Sequence, residues 1–140
     1  METYIHKSCN IYDSAEIGDG TRIGAFVEVG HKVKIGKNCR IGCGSFIPEN
    51  IIIEDNVFVG PHTVFTNDKN PPSHGAWRDE PPTVVKEGAA IGANSTILPN
   101  ITLGNDCKIG AGSVVTKNVP NNEIWLGVPA KRMHNPKYEK

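Results

Sequence analysis

The stretch Ile17-Gly18-Asp19-Gly20-Thr21-Arg22-Ile23-Gly24-Ala25-Phe26-Val27-Glu28-Val29-Gly30-His31-Lys32-Val33-Lys34-Ile35-Gly36 carries an aliphatic residue at every sixth position. Backwards the same phase reaches Ile11 and Ile5. Forwards it runs through Ile41, Ile47, Ile53 and Val59 to Phe65, then resumes at Val85, Ile91, Ile97, Leu103, Ile109 and Val115. That makes eleven hexads and then six. Glycine often follows the aliphatic residue, as at Gly18, Gly24, Gly60, Gly92 and Gly110. Four places after the aliphatic residue stands a small or β-branched one, such as Cys9, Thr21, Val33, Cys39, Ser45, Thr63, Ser95, Cys107 and Ser113.

A six-residue period does not fit an α-helix, whose 3.6 residues per turn would smear these aliphatics around its surface. It does fit a short strand and a bend, repeated. Three such hexads, one to a face, close a triangular coil in which each aliphatic side chain stacks on its counterpart one coil below. Glycine after the aliphatic residue permits positive φ or a close backbone approach at the bends. Seventeen hexads give between five and six coils, a prism roughly 27 Å tall at about 4.8 Å per strand layer.

The chain of 140 residues has fifteen Lys plus Arg and fifteen Asp plus Glu, so net charge offers no argument for nucleic acid or an anionic membrane. No apolar run approaches the roughly 20 residues of a membrane-spanning helix, and residues 1–10 lack the apolar core of a secretory signal. A soluble cytoplasmic protein is the expectation. The four cysteines lack zinc-ligand spacing. Cys9, Cys39 and Cys107 fall in the inward small-residue slot and read as core fillers, whereas Cys43 falls outside it. One thiol without a paired base does not make a nucleophile.

The expected organisation is a single domain, 1–140, with coils over 5–65 and 85–119. Residues 66–84 break the period with four of the ten prolines, His74, Trp77 and a cluster of charges, and are expected as one extruded loop. Long loops in compact repeat proteins are usually functional. The tail, 120–140, contains Gly127 and Pro129, which exclude a helix there. It reads either as a solvated cap over the last coil or as a phosphate contact through the basic pair Lys131 and Arg132.

Together these residues resemble the hexapeptide-repeat acyltransferase superfamily over essentially the whole chain, and the left hand of the β-helix rests on that resemblance, since parallel crossovers are otherwise right-handed. Two local motifs narrow the resemblance. Ile109-Gly110-Ala111-Gly112-Ser113-Val114-Val115-Thr116-Lys117-Asn118-Val119-Pro120 with Gly127-Val128-Pro129-Ala130-Lys131 is similar to the C-terminal signature of acetyl-CoA-using members. Val59-Gly60-Pro61 with Val64-Phe65-Thr66-Asn67-Asp68 before a proline loop is similar to the branch that N-acetylates nucleotide-linked amino sugars.

The resemblance implies a homotrimer with acetyl-CoA as cosubstrate, no metal, and sites between subunits. It places the pantetheine arm near Ala93 and Ala111, and the adenosine phosphates near Lys117, Lys131 and Arg132. It gives Asn67 the orientation of the acceptor amine with Asp68 in support, and substrate contacts to Phe26, Glu28, His62 and Phe65. Departures from the pattern accompany the match. Asn70 stands before Pro71 where sugar O-acetyltransferases carry a basic histidine, and an amide is no general base, which argues for an amine acceptor. Gly24-Ala25-Phe26 retains only the phenylalanine of a Trp-His-Phe run, and Pro72 replaces an arginine.

His74, in the loop, is the first candidate base among the histidines, and His62, five residues before Asn67, is the second; His6, His31 and His134 read as surface residues. Three alternatives stand beside this reading. An O-acetyltransferase acting on a hydroxyl is one. A γ-type carbonic anhydrase would need three converging imidazoles, and no His-x4-His spacing supplies them. A non-catalytic trimeric scaffold would require neither the loop nor the Asn67-Asp68 pair. Trimerisation has its own physical argument, because Ile52, Val64 and Val84 leave apolar surface that closed symmetry hides.

Overall fold

The computed structural model describes residues 2–134. Two- and three-residue strands stack into three parallel sheets, one on each face of a triangular prism. The first face begins Tyr4–Ile5, Arg22–Ile23, Arg40–Ile41 and Phe58–Val59, and continues with Ala90–Ile91 and Lys108–Ile109. The second face carries Asn10–Ile11, Glu28–Val29, Phe46–Ile47, Val64–Phe65, Thr96–Ile97 and Val114–Val115. The third carries Glu16–Ile17, Lys34–Ile35, Ile51–Ile53, Thr83–Val85 and Thr102–Leu103. The protein is a left-handed parallel β-helix of hexapeptide repeats.

The period explains the core. Register partners such as Ile23 and Ile41, or Val29 and Ile47, are three hexads apart and stack directly inside the prism. Fully burying one such side chain contributes roughly 1.5–3 kcal/mol, and the aliphatic column from Ile23 to Val115 is buried throughout. Cys39 and Cys107 lie inside with it. Burial raises the thiol of Cys39, and pushes that of Cys107 up to about 11. Lower in the column the burial falls away, and Ile5 is 41% exposed. Cys9 there is half-buried, its Sγ donating to the Gly24 carbonyl at 2.9 Å.

The two functions expected of glycine at the bends separate in the structure. Glycine directly after the aliphatic residue serves close approach. A Cβ on Gly60 would lie 2.6 Å from the Ala93 nitrogen, and one on Gly92 would lie 2.5 Å from the Ala111 nitrogen. Positive φ falls two positions later, three after the aliphatic residue. That position holds Gly20, Gly44, Gly88 and Gly112, or Asn38, Asn50, Asn56, Asn94, Asn100 and Asp106. Glycine, Asn and Asp adopt this conformation most readily. Three larger side chains occupy the same turn position, Phe26 (φ 60), Lys32 (φ 59) and His62 (φ 57).

Two departures from the three-hexad coil shape the molecule. Across the interruption, Val59 pairs with Ile91 and Ile53 with Val85, so that fourteen residues beyond the regular coil are extruded. The loop is shorter than the sequence suggested. Thr83 and Val84, expected within it, belong to the third-face strand Thr83–Val85, paired with Ile51–Ile53. Thr83 is drawn into the coil because its side chain is buried and its hydroxyl accepts the Asn100 amide at 3.0 Å.

The second departure is in the tail. Val119 bridges Leu103, and Ile124–Gly127 pairs in parallel with Lys108–Ile109, each partner now two positions nearer in sequence than three hexads would place it. A shortened coil therefore finishes the prism. Ala130–Arg132 then turns back antiparallel on Ile124–Gly127 and closes the edge of the first face. The solvated cap read from the sequence is thus built into the sheet. Residues 1 and 135–140 of the expected domain lie outside the described residues.

Candidate functional site

Most of the candidate residues lie along the two edges that bound the second face; Glu28 and Phe65 belong to the face itself, and Lys131 and Arg132 to the final strand. The edge between the first and second faces is made by successive bends containing Ala25-Phe26, Cys43-Gly44, Pro61-His62, Ala93-Asn94 and Ala111-Gly112. Phe26 is 75% exposed there. The His62 ring lies over Gly44, where an added Cβ would come within 2.5 Å of the imidazole. Both residues hold positive φ without glycine's freedom, at a cost of about 1–2 kcal/mol each. Such strain clusters at ligand sites. Farther up, the Ala93 and Ala111 amides donate no hydrogen bond among the described residues. They are free N–H groups on an edge kept narrow by small side chains.

The opposite edge, between the second and third faces, carries Asn67, Asp68, the extruded loop and, two coils higher, Lys117. Thr66 is still tied to the coil, its amide and hydroxyl both bonding the Ile97 carbonyl at 3.0 Å. Asn67 follows at once and donates Nδ2 to the Glu49 carbonyl one coil below, at 3.1 Å. That bond fixes the amide. Asp68 accepts the Ser73 amide on Oδ2 at 2.9 Å, while its Oδ1 and the Ser73 hydroxyl are buried without a hydrogen-bond partner. Two buried polar atoms left open on the same loop call for a bound water or a polar ligand group.

The loop folds back over the edge instead of projecting freely. A 3-10 turn, Ala76–Asp79, is tied down by two asparagines of the coils. Asn50 Nδ2 lies 3.2 Å from the Glu80 carbonyl and 3.3 Å from that of Pro81, and Asn100 Nδ2 donates to Pro81 at 2.6 Å. Arg78 covers the Trp77 ring at 4.4 Å and reaches the Glu49 carboxylate at 3.9 Å. Between loop and prism lies a cavity of about 460 Å³, lined by Asn67, Asp68, Asn70, Ser73, Trp77 and Asn100 among others. Sequence reasoning missed Asn50, Asn100 and Ser73. The two asparagines looked like ordinary turn residues, and nothing in the period says which turn asparagines reach a loop.

Several expected residues sit elsewhere. Phe65 is fully buried in the aliphatic column and cannot touch a substrate; it continues the core phase that identified the fold. His74, the candidate base, is exposed on the loop and is not among the residues lining the cavity. Glu28 faces outward on the second face, where Asn10 donates to its carboxylate at 3.4 Å. Lys131 is exposed on the final strand, whereas Arg132 turns to the Glu123 carboxylate at 3.6 Å. Within one chain Ala93 and Ala111 stand across the whole second face from Asn67, Asp68 and Lys117. Among the described residues no group of three or more His, Cys, Asp or Glu is placed to hold a metal ion, and no helix is long and apolar enough to cross a membrane.

A coil of this pattern, sealed by this tail, places the chain in the bacterial transferase hexapeptide family. The family model matches residues 32–67 and 82–117, and that of the hexapeptide repeat of succinyl-transferase matches 15–48. Among curated relatives, a serine acetyltransferase of Buchnera aphidicola is 36% identical over 95 residues, covering 63% of this chain and 30% of that protein. A dTDP-3-amino-3,6-dideoxy-alpha-D-galactopyranose 3-N-acetyltransferase of Aneurinibacillus thermoaerophilus is 47% identical over 49 residues, covering 35% of this chain and 26% of that protein. The chain thus spans about a third or less of these two relatives.

Solved structures align over nearly the whole chain. PerB from Caulobacter crescentus, in complex with CoA and GDP-perosamine, has a TM-score of 0.81 at 24% identity, covering 96% of this chain and 58% of that one. A mutant of AntD, an N-acyltransferase from Bacillus cereus, in complex with dTDP and coenzyme A, has a TM-score of 0.78 at 26% identity, covering 95% and 81%.

Proposed function

We propose that the protein is an acetyl-CoA-dependent N-acetyltransferase that acylates the amino group of a nucleotide-linked amino sugar, working as a homotrimer. The observation that carries this reading is the division of the candidate site between the two edges of the second face. A threefold rotation that turns this face to the axis brings the Ala93–Ala111 edge of one subunit beside the Asn67–Asp68 edge of the next. The outward column on that face, with Phe46 and Val64 each 38% exposed and Val114 above them, supplies apolar surface for the axis.

In that arrangement the pantetheine arm lies along the narrow edge, its amides meeting the free N–H groups of Ala93 and Ala111. Lys117 of the adjoining subunit and Lys131 provide positive charge for the nucleotide phosphates of the cosubstrate. His62 and Asn67 belong to the same coil on opposite edges, so the subunit boundary brings them to one level. Asn67, its Nδ2 held by Glu49, presents Oδ1 to an acceptor amine, and Asp68 Oδ1 accepts a further hydrogen bond from the sugar. A neutral amine attacks the thioester carbonyl, and the departing CoA thiolate takes up the proton the amine loses. No histidine base is required, consistent with Asn70 before Pro71. An O-acetyltransferase has less support, since Asn70 stands before Pro71 where the resemblance puts the histidine that activates a sugar hydroxyl, and an amide is no general base. The expected compartment is the cytoplasm, where acetyl-CoA and nucleotide sugars are made.

Mixed trimers test the shared site. Asn67→Ala disables one edge, and the double variant Ala93→Trp, Ala111→Trp blocks the other. Each is expected to be inactive alone, while co-assembled mixtures regain activity wherever two intact edges meet. Mixtures as inactive as the parents would overturn the shared site.

A further inference from the structure

Besides the loop cavity, the described residues form further grooves, one of them on the lower first face. Tyr4, Arg22, Arg40 and Phe58 project outward from four consecutive strands in direct register. They border a cavity of about 360 Å³ that reaches the Cys43 and Pro61 bends of the first–second edge. Arg22 and Arg40 are neighbours across a parallel pair, with their strands about 4.8 Å apart. Like charges directly opposite one another destabilise a sheet. Neither guanidinium has a carboxylate partner among the described residues. No acidic side chain stands in this column to relieve the repulsion; Arg22 lies over the Tyr4 ring at 5.0 Å instead.

We infer that this groove binds the diphosphate of the nucleotide that carries the acceptor sugar, one guanidinium to each phosphate. Arginine suits the task because its planar fork gives two parallel hydrogen bonds to a phosphate and stays charged at any working pH. Two forks one strand spacing apart match two phosphates joined through one oxygen. Bound anions would also remove the repulsion that the bare pair carries.

Direction along the prism fixes the rest of the ligand. Phe58 and His62 belong to the coil of Asn67, above Arg40, so the sugar end points up towards that level. The nucleoside end then lies down the groove beside Tyr4. The cosubstrate occupies the upper half, by Ala93 and Ala111. The two nucleotides therefore approach the reacting atoms from opposite ends of the subunit boundary. This inference rests on the proposed function for the identity of the ligand, and on the first-face geometry alone for the site.

Equilibrium binding on the intact protein tests it, with dTDP, UDP, GDP and inorganic pyrophosphate as probes and CoA titrated in parallel. Wild type is expected to bind at least one nucleoside diphosphate. Arg22→Ala and Arg40→Ala should each weaken it about tenfold, the pair about a hundredfold, since hydrogen bonds to charged groups carry most of the affinity. Lysine at both positions should recover part of the loss. Tyr4→Ala should weaken the nucleoside diphosphate but not pyrophosphate. CoA binding by every variant should match wild type, which also reports that the fold is intact.

Nucleoside diphosphate affinity unchanged within twofold in the double variant would overturn the inference, as would a wild type that binds none of the probes. Equal weakening of CoA would overturn it too, by assigning the arginines to the cosubstrate. Acetyl transfer to a nucleotide-linked amino sugar that survives the double variant with unaltered KM would sink this site and leave the acetyltransferase reading standing.

Discussion

Replacing Asn50 and Asn100 together by glycine should free the loop without disturbing the prism. Both asparagines hold positive φ, 79° and 64°, a conformation glycine adopts at no steric cost, so the backbone turn survives. What is lost is side-chain anchoring. The Asn50 amide has two hydrogens to share among three carbonyls, those of Trp77, Glu80 and Pro81, and the contact to Trp77 is long at 3.5 Å. Two bonds can therefore be made at once. Asn100 adds the 2.6 Å bond to Pro81.

Three neutral hydrogen bonds at about 0.5–1.5 kcal/mol each would give about 1.5–4.5 kcal/mol. All lie at a half-exposed rim where water replaces them in part, so the lower half of that range is expected, about 1.5–3 kcal/mol. Loop opening should then rise by about ten- to a hundredfold. Native-state hydrogen exchange reads this directly at the amides of Arg78 and Glu80, bonded within the loop to Gly75 and Trp77. The Thr83 amide, bonded to the Asn50 carbonyl, is the internal control because that bond is retained. Exchange at Arg78 and Glu80 within twofold of wild type would refute the anchoring argument. So would equal acceleration at Val59 and Ile91, which would mean global loosening.

Other consequences are local. Phe26→Gly removes left-handed strain and should stabilise the fold by about 1 kcal/mol in a urea titration, while acceptor KM rises if the exposed ring serves the ligand; a variant of lower stability would show the turn unstrained. Between pH 9 and 11 the unfolded chain releases the Cys107 proton while the folded protein retains it. That thiol's contribution is therefore complete below pH 9 and lost as pH rises towards about 11. Over that window wild type should lose on the order of 2 kcal/mol more stability than Cys107→Ala; parallel pH–stability curves would contradict the burial argument. Finally, Phe46→Asp with Val64→Asp should turn trimers into monomers by sedimentation without altering the β-sheet circular dichroism, and persisting trimers would remove the second face from the axis.

How far the sequence spoke can be seen residue by residue. Hexapeptide phase alone placed Ile23, Val59, Ile97 and Val115 inside the prism, because one side chain per face must point inward and each stacks on its own kind. The same phase already marked Phe65 as core. The substrate contact that the resemblance implies for Phe65 conflicts with that phase, because a motif match carries no direction for the side chain. The shortened last coil was hidden because Val119 and Trp125 leave the phase, and a period search stops where the phase ends. The loop's existence was legible from its prolines, but its seat was not, since that depends on Asn50 and Asn100 from neighbouring coils. Arg22 and Arg40 were invisible for a further reason. They stand three hexads apart, and their pairing acquires meaning only when both are known to share an outward column with nothing acidic beside them.

The most direct test is release of free CoA thiol from acetyl-CoA in the presence of dTDP-, UDP- and GDP-linked 3-amino and 4-amino sugars, with unmodified sugars and serine as comparators. Rapid thiol release is expected with one nucleotide-linked amino sugar, little with hydroxyl acceptors, and collapse of that activity in Asn67→Ala. Release with hydroxyl acceptors alone would contradict the amine acceptor. Silence with every acceptor, together with no binding of CoA by calorimetry, would contradict the acetyltransferase itself.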